Sequence, residues 1–234
     1  MADRSVLITG GTGGLGTAVT AAFAETGWRV VLPVRGDGRG DGRGDGRVDG
    51  ARVLTGVDLT DEAAVAEVTA VAAEDPAAPL TAVVNLVGGF AAGPKVHDLS
   101  LADFEGQFSV NLRPTFLVTR AALPHLVAAG GGSIVCVSSR AAEQPFPGAS
   151  GYVASKAAVT AFARAVAVEY RDARVRCNVV LPSVIDTPTN RTAMPDADYD
   201  KWVQPSQIAS TILFLAGPDS AATSGATIPV YGRA

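Results

Sequence analysis

Histidine and cysteine are scarce in this chain, with two of each in 234 residues. With only His97 and His125 beside the two thiols, no ligand cluster for a metal is expected. Cys136 and Cys177 lie in the apolar, strand-like runs "SIVCVSS" and "RVRCNVV". They read as small buried hydrophobes rather than disulfide partners. Positive charge is also in deficit: Lys and Arg number 19 against 23 Asp and Glu, a formal net charge of −4. No basic surface is left to hold a phosphate backbone, so nucleic acid is not an expected partner. Long apolar runs are missing as well. The longest uncharged stretch, "LTAVVNLVGGFAAGP", is short for a membrane span and broken by Gly and Asn. The opening "MADRSVLITGG" carries charge where a signal peptide has its apolar core. The expectation is a cytoplasmic protein without a membrane segment, in which "RGD" at Arg39 to Asp41 and the sequon at Asn190 carry no function.

What the chain does have is apolar residue, 47% of the total, enough for one sizeable core and a single domain over 1–234. "RSVLIT" predicts a strand. It is followed by a glycine-rich turn and by "LGTAVTAAFAETG", whose Leu15, Val19, Ala22 and Phe23 recur at helical spacing before a C-capping Gly27. "WRVVLPV", "ARVLTGV", "LTAVVNLVG", "GSIVCVSS", "ARVRCNVVLP" and "GATIPV" predict six more strands. Helical patterns separate most of them, and Pro114 and Pro124 are expected to break or bend the one that spans them. Short apolar strands alternating with helices imply a parallel sheet covered on both faces, a doubly wound, Rossmann-like α/β fold. Its ligand belongs at the carboxyl ends of the strands. One crossover breaks the pattern. Residues 36–50 read "GDGRGDGRGDGRVDG", and glycine at alternate positions forbids a stable helix there. The repeat reads as a passive, flexible connection, able to span roughly 50 Å when extended. A sharper alternative has Arg39, Arg43 or Arg47 assisting at a cofactor phosphate.

Two motifs carry the chemistry. In "TGGTGGLG", Gly10, Gly14 and Gly16 stand in a strand-to-helix turn, where glycine lets backbone approach a pyrophosphate lying at the helix N-terminus. In "SGYVASKAA", Tyr152 and Lys156 are four apart and share one helix face. An ammonium beside a phenol is expected to lower the phenol's pKa towards neutrality, which suits proton exchange in alcohol–ketone interconversion. Ser139, thirteen positions earlier at the end of the fifth strand, falls on the same rim.

With these residues in order, "TGGTGGLG", "NLVGG", "SVNL", "VSS" and "YVASK", the whole chain resembles the short-chain dehydrogenase/reductases. The resemblance implies a catalytic set of Asn111, Ser139, Tyr152 and Lys156. Tyr152 would be the general acid/base, and Lys156 would hold the ribose and depress the tyrosine. Ser139 would bond the substrate oxygen, and Asn111 would anchor a relay water. It also implies a cofactor site of Thr9, Gly10, Gly14, Leu15, Gly16, Arg35, Asp58, Leu59, Asn85, Gly88, Pro182, Val184 and Thr187, together with Tyr152 and Lys156. In it Asp58 would meet the adenine and Thr187 the nicotinamide amide.

This chain departs from the family pattern in places. Pro182-Ser183 replaces a Pro-Gly pair, and Asn85-Leu86-Val87-Gly88 replaces "NNAG". The segment 188–204 is short, so a small substrate lid is expected. "IDTPTNRTAMPDADYDKW" is also similar to dihydropteridine reductases, which lack the serine that Ser139 supplies here. At the end of the second strand Val34 takes the usual acidic position and Arg35 follows, which favours NADP(H) over NAD(H). The expected activity is NADP(H)-dependent carbonyl–alcohol interconversion on a small to medium substrate. The alternatives are reduction of a C=N or quinonoid, pterin-like ring, or a non-catalytic NADP-binding regulator. Small residues along the Tyr152 helix (Ala157, Ala158, Ala161, Ala163, Ala165 and Ala167), together with the resemblance, lead to the expectation of a homodimer or homotetramer.

Overall fold

The computed structural model describes residues 2–36 and 50–233. The interior of the Gly-Asp-Gly-Arg repeat, with Arg39, Arg43 and Arg47, lies outside the described residues. Seven strands, β1 (Ser5–Thr9), β2 (Arg29–Pro33), β3 (Ala51–Leu54), β4 (Leu80–Asn85), β5 (Gly132–Val137), β6 (Val175–Pro182) and β7 (Thr227–Val230), form one sheet in the order β3-β2-β1-β4-β5-β6-β7. Every pairing is parallel. The helices are α1 (Gly16–Glu25), α2 (Glu62–Ala73), α3 (Leu101–Asn111), α4 (Arg113–Ala128), α5 (Ser150–Glu169), α6 (Pro188–Ala193) and α7 (Pro205–Ala216).

The sheet is apolar on both faces because successive strand residues point to opposite sides. In β1, Leu7 joins a core with Val65 of α2, Leu117 of α4 and Val159 of α5. Its neighbours Val6 and Ile8 join a second core with Phe23 of α1 and Ile212 of α7. Cys136 and Cys177 are fully buried, free thiols in the first of these cores.

After β3 the chain returns to the other side of β1, so the connections leaving β1 and β4 run to opposite faces of the sheet and open the crevice where such folds bind ligands. Thr9 closes the floor of this crevice. Its carbonyl accepts from Leu86 N–H at 3.3 Å and its Oγ1 accepts from the same N–H at 3.2 Å.

Of the two prolines expected to disturb the helical stretch, only Pro114 coincides with a boundary. Leu112 separates α3 from α4, and Pro114 occupies the first turn of α4, where its missing N–H leaves no bond unmade. Pro124 lies inside α4, which runs on to Ala128. The lost hydrogen bond there is tolerated because Leu117, Leu123 and Leu126 bury that face of the helix against the sheet.

Candidate active site

Gly10, Gly14 and Gly16 of the glycine turn are required for three different reasons. Gly10 has φ +69°, which an L side chain rarely adopts, and a Cβ on Gly16 would lie 2.0 Å from the Gly10 carbonyl oxygen. A Cβ on Gly14 would lie 2.8 Å from Thr187 Cγ2, so this glycine keeps the space beneath α6 clear. Helix α1 begins without a side-chain cap and without an acidic residue in its first turn, which leaves its positive end available to an anion.

In front of the turn runs a groove of ≈ 760 Å³, lined among others by Gly14, Arg35, Asp58, Leu59, Gly88 and Val110. Gly10, Leu15 and Gly16 line it too. The size, the glycine cradle and the uncapped helix suit an extended, phosphate-bearing dinucleotide. Asp58 accepts from Thr60 N–H at 2.9 Å and from Thr60 Oγ1 at 2.7 Å. These two bonds hold its carboxyl below the usual range, with lesser help from Arg35 and Arg113.

At the inner end of the groove, Lys156 and Asn111 converge on Gly88, where a Cβ would lie 2.8 Å from Lys156 Nζ and 2.6 Å from Asn111 Oδ1. Asn111 is fully buried. Its Oδ1 accepts from Gly89 N–H at 3.0 Å and its Nδ2 donates to Ser155 Oγ at 3.0 Å. Ser155 in turn donates to the Tyr152 carbonyl at 2.8 Å, so one chain of bonds ties the end of α3 to the first turns of α5. Lys156 Nζ donates to the Val137 carbonyl at 3.1 Å, and burial lowers its pKa to about 8. Ser139 caps a short 3-10 turn by accepting from Ala141 N–H at 3.2 Å and also stands beside the Tyr152 phenol. The structure thus brings together all four candidate catalytic residues.

The expected lowering of the Tyr152 pKa does not occur here. Burial pushes the phenol upward, with the Ser139 hydroxyl pulling weakly the other way. The physical reason is that the phenolate would have to form in a poorly solvated site, a penalty larger than the pull of the Ser139 hydroxyl.

Not every candidate faces the groove. The Asn85 side chain is buried and turned to α4, donating to Thr119 Oγ1 at 3.1 Å, and the lining at that point is Leu86, Val87 and Gly88. Pro182 and Val184 belong to the backbone of the β6 exit. Val184 accepts from Val203 N–H at 3.0 Å, and Ser183, in place of the usual glycine, donates to the Tyr231 carbonyl at 2.6 Å. Thr187 is buried against the glycine turn and caps α6, its Oγ1 accepting from Asn190 N–H at 3.2 Å.

Sequence reasoning missed Ser155 and Val110, although both sit inside quoted motifs, one residue before Lys156 and one before Asn111. It also missed Phe90 and Phe146, for which no motif gives a signal. Phe90 packs edge-on against Tyr152 with ring centroids 5.0 Å apart, and Phe146 stands 6.3 Å beyond it.

Comparison with known proteins agrees with this fold. The family described as short chain dehydrogenase matches residues 4–198. The chain is 32% identical over 242 residues to a 2,5-dichloro-2,5-cyclohexadiene-1,4-diol dehydrogenase of Sphingobium indicum, covering 99% of this chain and 96% of that protein. It is 31% identical to a 2-(R)-hydroxypropyl-CoM dehydrogenase of Xanthobacter autotrophicus, covering 98% of each. A solved short chain dehydrogenase/reductase family protein superposes with a TM-score of 0.87 at 34% identity, covering 99% of this chain and 97% of the other.

Proposed function

Since the chain belongs to the short-chain dehydrogenase family, we propose that it interconverts a carbonyl and an alcohol on a small to medium organic substrate, with NADP(H) as cofactor and Tyr152 as general acid/base. The observation that carries this reading is the convergence of Tyr152, Ser139, Lys156 and Asn111 at the carboxyl ends of β4 and β5, where the groove ends. The bound nicotinamide supplies or takes up the hydride. The chain's own part is to hold the phosphates at Gly10, Gly14 and the start of α1, and to set the substrate oxygen between Ser139 and Tyr152. Lys156 Nζ is committed to one acceptor and has two further protons to direct towards a ribose. Arg35 on the groove wall, with Val34 where an acid would repel a 2′-phosphate, supports NADP(H).

The raised Tyr152 pKa supports reduction at neutral pH, because a phenol that stays protonated is ready to donate. Alcohol oxidation needs the phenolate and is expected to accelerate towards alkaline pH. A lid role for 188–204 is supported by how the segment is rooted. Ile185 and Val203 pair as a β-bridge, and Asp186 binds Arg191 at 2.6 Å and Gln204 at 2.8 Å. Those two partners hold the Asp186 carboxyl down to about 2, so the root keeps its charge throughout the working range.

The test is Tyr152→Phe, expected to abolish turnover while leaving the NADPH Kd within about twofold, since the phosphate contacts are untouched. Undiminished kcat would refute the mechanism. Reduction of a C=N or quinonoid ring is a second reading, and it rests only on the sequence resemblance of 185–202 to dihydropteridine reductases, which the comparisons do not show. A panel of ketones, aldehydes and pterins separates the two. A regulator that only binds cofactor has no use for Ser139 beside Tyr152, and on that ground is disfavoured.

A further inference from the structure

Aromatic residues make up only 6% of the chain, yet two of its eight phenylalanines stack outward from Tyr152, Phe90 on the tyrosine and Phe146 on Phe90, with much of their surface open. Phe90, on the loop after β4, is 63% exposed, and Phe146, on the loop before α5, is 45% exposed. The two loops are pinned to each other, Gly93 N–H donating to the Gly148 carbonyl at 2.9 Å. A Cβ at Gly148 would lie 2.4 Å from the Gly93 oxygen, so only glycine permits the approach. Leaving two phenyl faces in water beside a proton donor costs burial free energy that an apolar ligand recovers.

Next to them lies a cavity of ≈ 250 Å³ whose walls include Pro94, Leu99 and Tyr152 on one side and Asp103 and Gln107 on the other. The volume is below the usual range for drug-sized ligands and suits a compact substrate rather than a long acyl chain. None of the residues lining it is basic, and Asp103 would repel an anion. Gln107 Oε1 is buried there with no hydrogen-bond partner among the described residues, an acceptor open to a donor.

We propose that the substrate is an uncharged six-membered-ring ketone or alcohol, its ring laid against the open faces of Phe90 and Phe146 beside Tyr152 and a second hydroxyl donating to Gln107. This rests on Tyr152 being the proton donor, and deepens that reading by assigning the substrate class. The phenyl faces supply apolar contact that a flexible open chain exploits less well, having more rotational freedom to lose. The orphaned acceptor discriminates for a hydroxyl and against a carboxylate at the ring's far side.

The experiment compares kcat/KM for four six-carbon-scaffold ketones: cyclohexanone, 4-hydroxycyclohexanone, 4-oxocyclohexanecarboxylate and hexan-2-one. Cyclohexanone is expected to exceed hexan-2-one by about tenfold, the scale of discrimination set by a small difference in apolar fit. The hydroxy ketone should exceed both cyclohexanone and the carboxylate. Phe90→Ala and Phe146→Ala should each narrow the ratio of ring to open chain while leaving the NADPH Kd unchanged. Gln107→Leu should erase the advantage of the hydroxyl alone. Equal or better use of hexan-2-one, a preference for the carboxylate, or unchanged ratios in both alanine variants overturns the proposal.

Binding is measured separately by saturation-transfer NMR on the Tyr152→Phe protein loaded with NADP⁺, where turnover plays no part. Contact of 4-hydroxycyclohexanone with phenylalanine protons that is lost in Phe90→Ala supports the aromatic surface even if the proton donor is misassigned. Absence of any ring contact there overturns the proposal even if other carbonyls are reduced.

Discussion

Lys156 is the residue at which burial and chemistry conflict most directly. Its pKa falls to about 8 in the folded chain against an ordinary value of 10.5, so between those limits the unfolded chain holds a proton that the folded chain has released. Stability therefore rises with pH across that window, and below pH 8 the cost of burying the charge is borne in full. Tyr152, raised above its ordinary 10.0, acts in the opposite direction at higher pH, which leaves pH 8 to 10 as the interval to read. Urea unfolding of the cofactor-free protein should show the wild type gaining stability relative to Lys156→Met by about 2 kcal/mol over that interval, each pKa unit corresponding to about 1.4 kcal/mol. Parallel curves would mean that Lys156 is solvated in solution.

Arg35 is a second residue with a measurable consequence. It lines the groove, while the repeat arginines fall outside the described residues. Arg35→Ala should weaken NADPH far more than NADH, by about 1.5–3 kcal/mol for a lost hydrogen bond to a charged group. Replacing Arg39, Arg43 and Arg47 together with Ser should do little. Calorimetric titration with both cofactors decides, and an NADPH-specific loss in the triple variant would place the repeat in the site.

At the scale of elements, most of the order of strands and helices was readable because each carries its own period and punctuation. The glycine turn, the Asp61 cap of α2 and the Ser100 cap of α3 act within a few residues of themselves. The passage of α4 through Pro124 was not readable, since the burial that tolerates it comes from the sheet beneath. Nor was the α5–β6 turn. There Arg174 takes φ +59°, its N–H donating to the Arg171 carbonyl at 3.0 Å while its own carbonyl accepts from Gly132 N–H at 3.1 Å. A left-handed arginine costs roughly 1–2 kcal/mol, part of which glycine would give back in chain entropy. Arg174→Gly should therefore stabilise the protein by about 0.5–1 kcal/mol in urea unfolding, and a loss of stability would mean that the arginine side chain contributes more than the turn's strain.

For the whole molecule, the alanines of α5 divide between two surfaces. Ala163 and Ala167 are buried in the sheet-facing core, whereas Ala161 and Ala165 are exposed. Exposed Val168 continues that outer face, and Phe162 meets Phe116 of α4 with ring centroids 5.8 Å apart, Phe116 itself being half-exposed. An apolar face across two neighbouring helices suits a two-fold contact between copies of the chain. Light scattering at micromolar concentration is expected to give at least a dimer mass, and Phe116→Glu to lower it. A wild-type monomer would dispose of the idea. Among the described residues, no helix is long and apolar enough to cross a membrane.

The amino-acid sequence by itself determined the doubly wound sheet and the place of the glycine turn, and pointed to the candidate catalytic residues, because strand alternation, helix spacing and short motifs are written in neighbouring residues. It did not determine the direction of the Tyr152 pKa, the inward turn of Asn85 or the phenylalanine pair. Those depend on which groups from distant strands and loops are desolvated together. Lys156 meets the Val137 carbonyl at 3.1 Å, Asn85 meets Thr119 at 3.1 Å and Phe90 meets Tyr152 at 5.0 Å only after the sheet has brought β4, β5, α4 and α5 to one edge. Electrostatics in a site of low dielectric follows that packing rather than the order of residues along the chain.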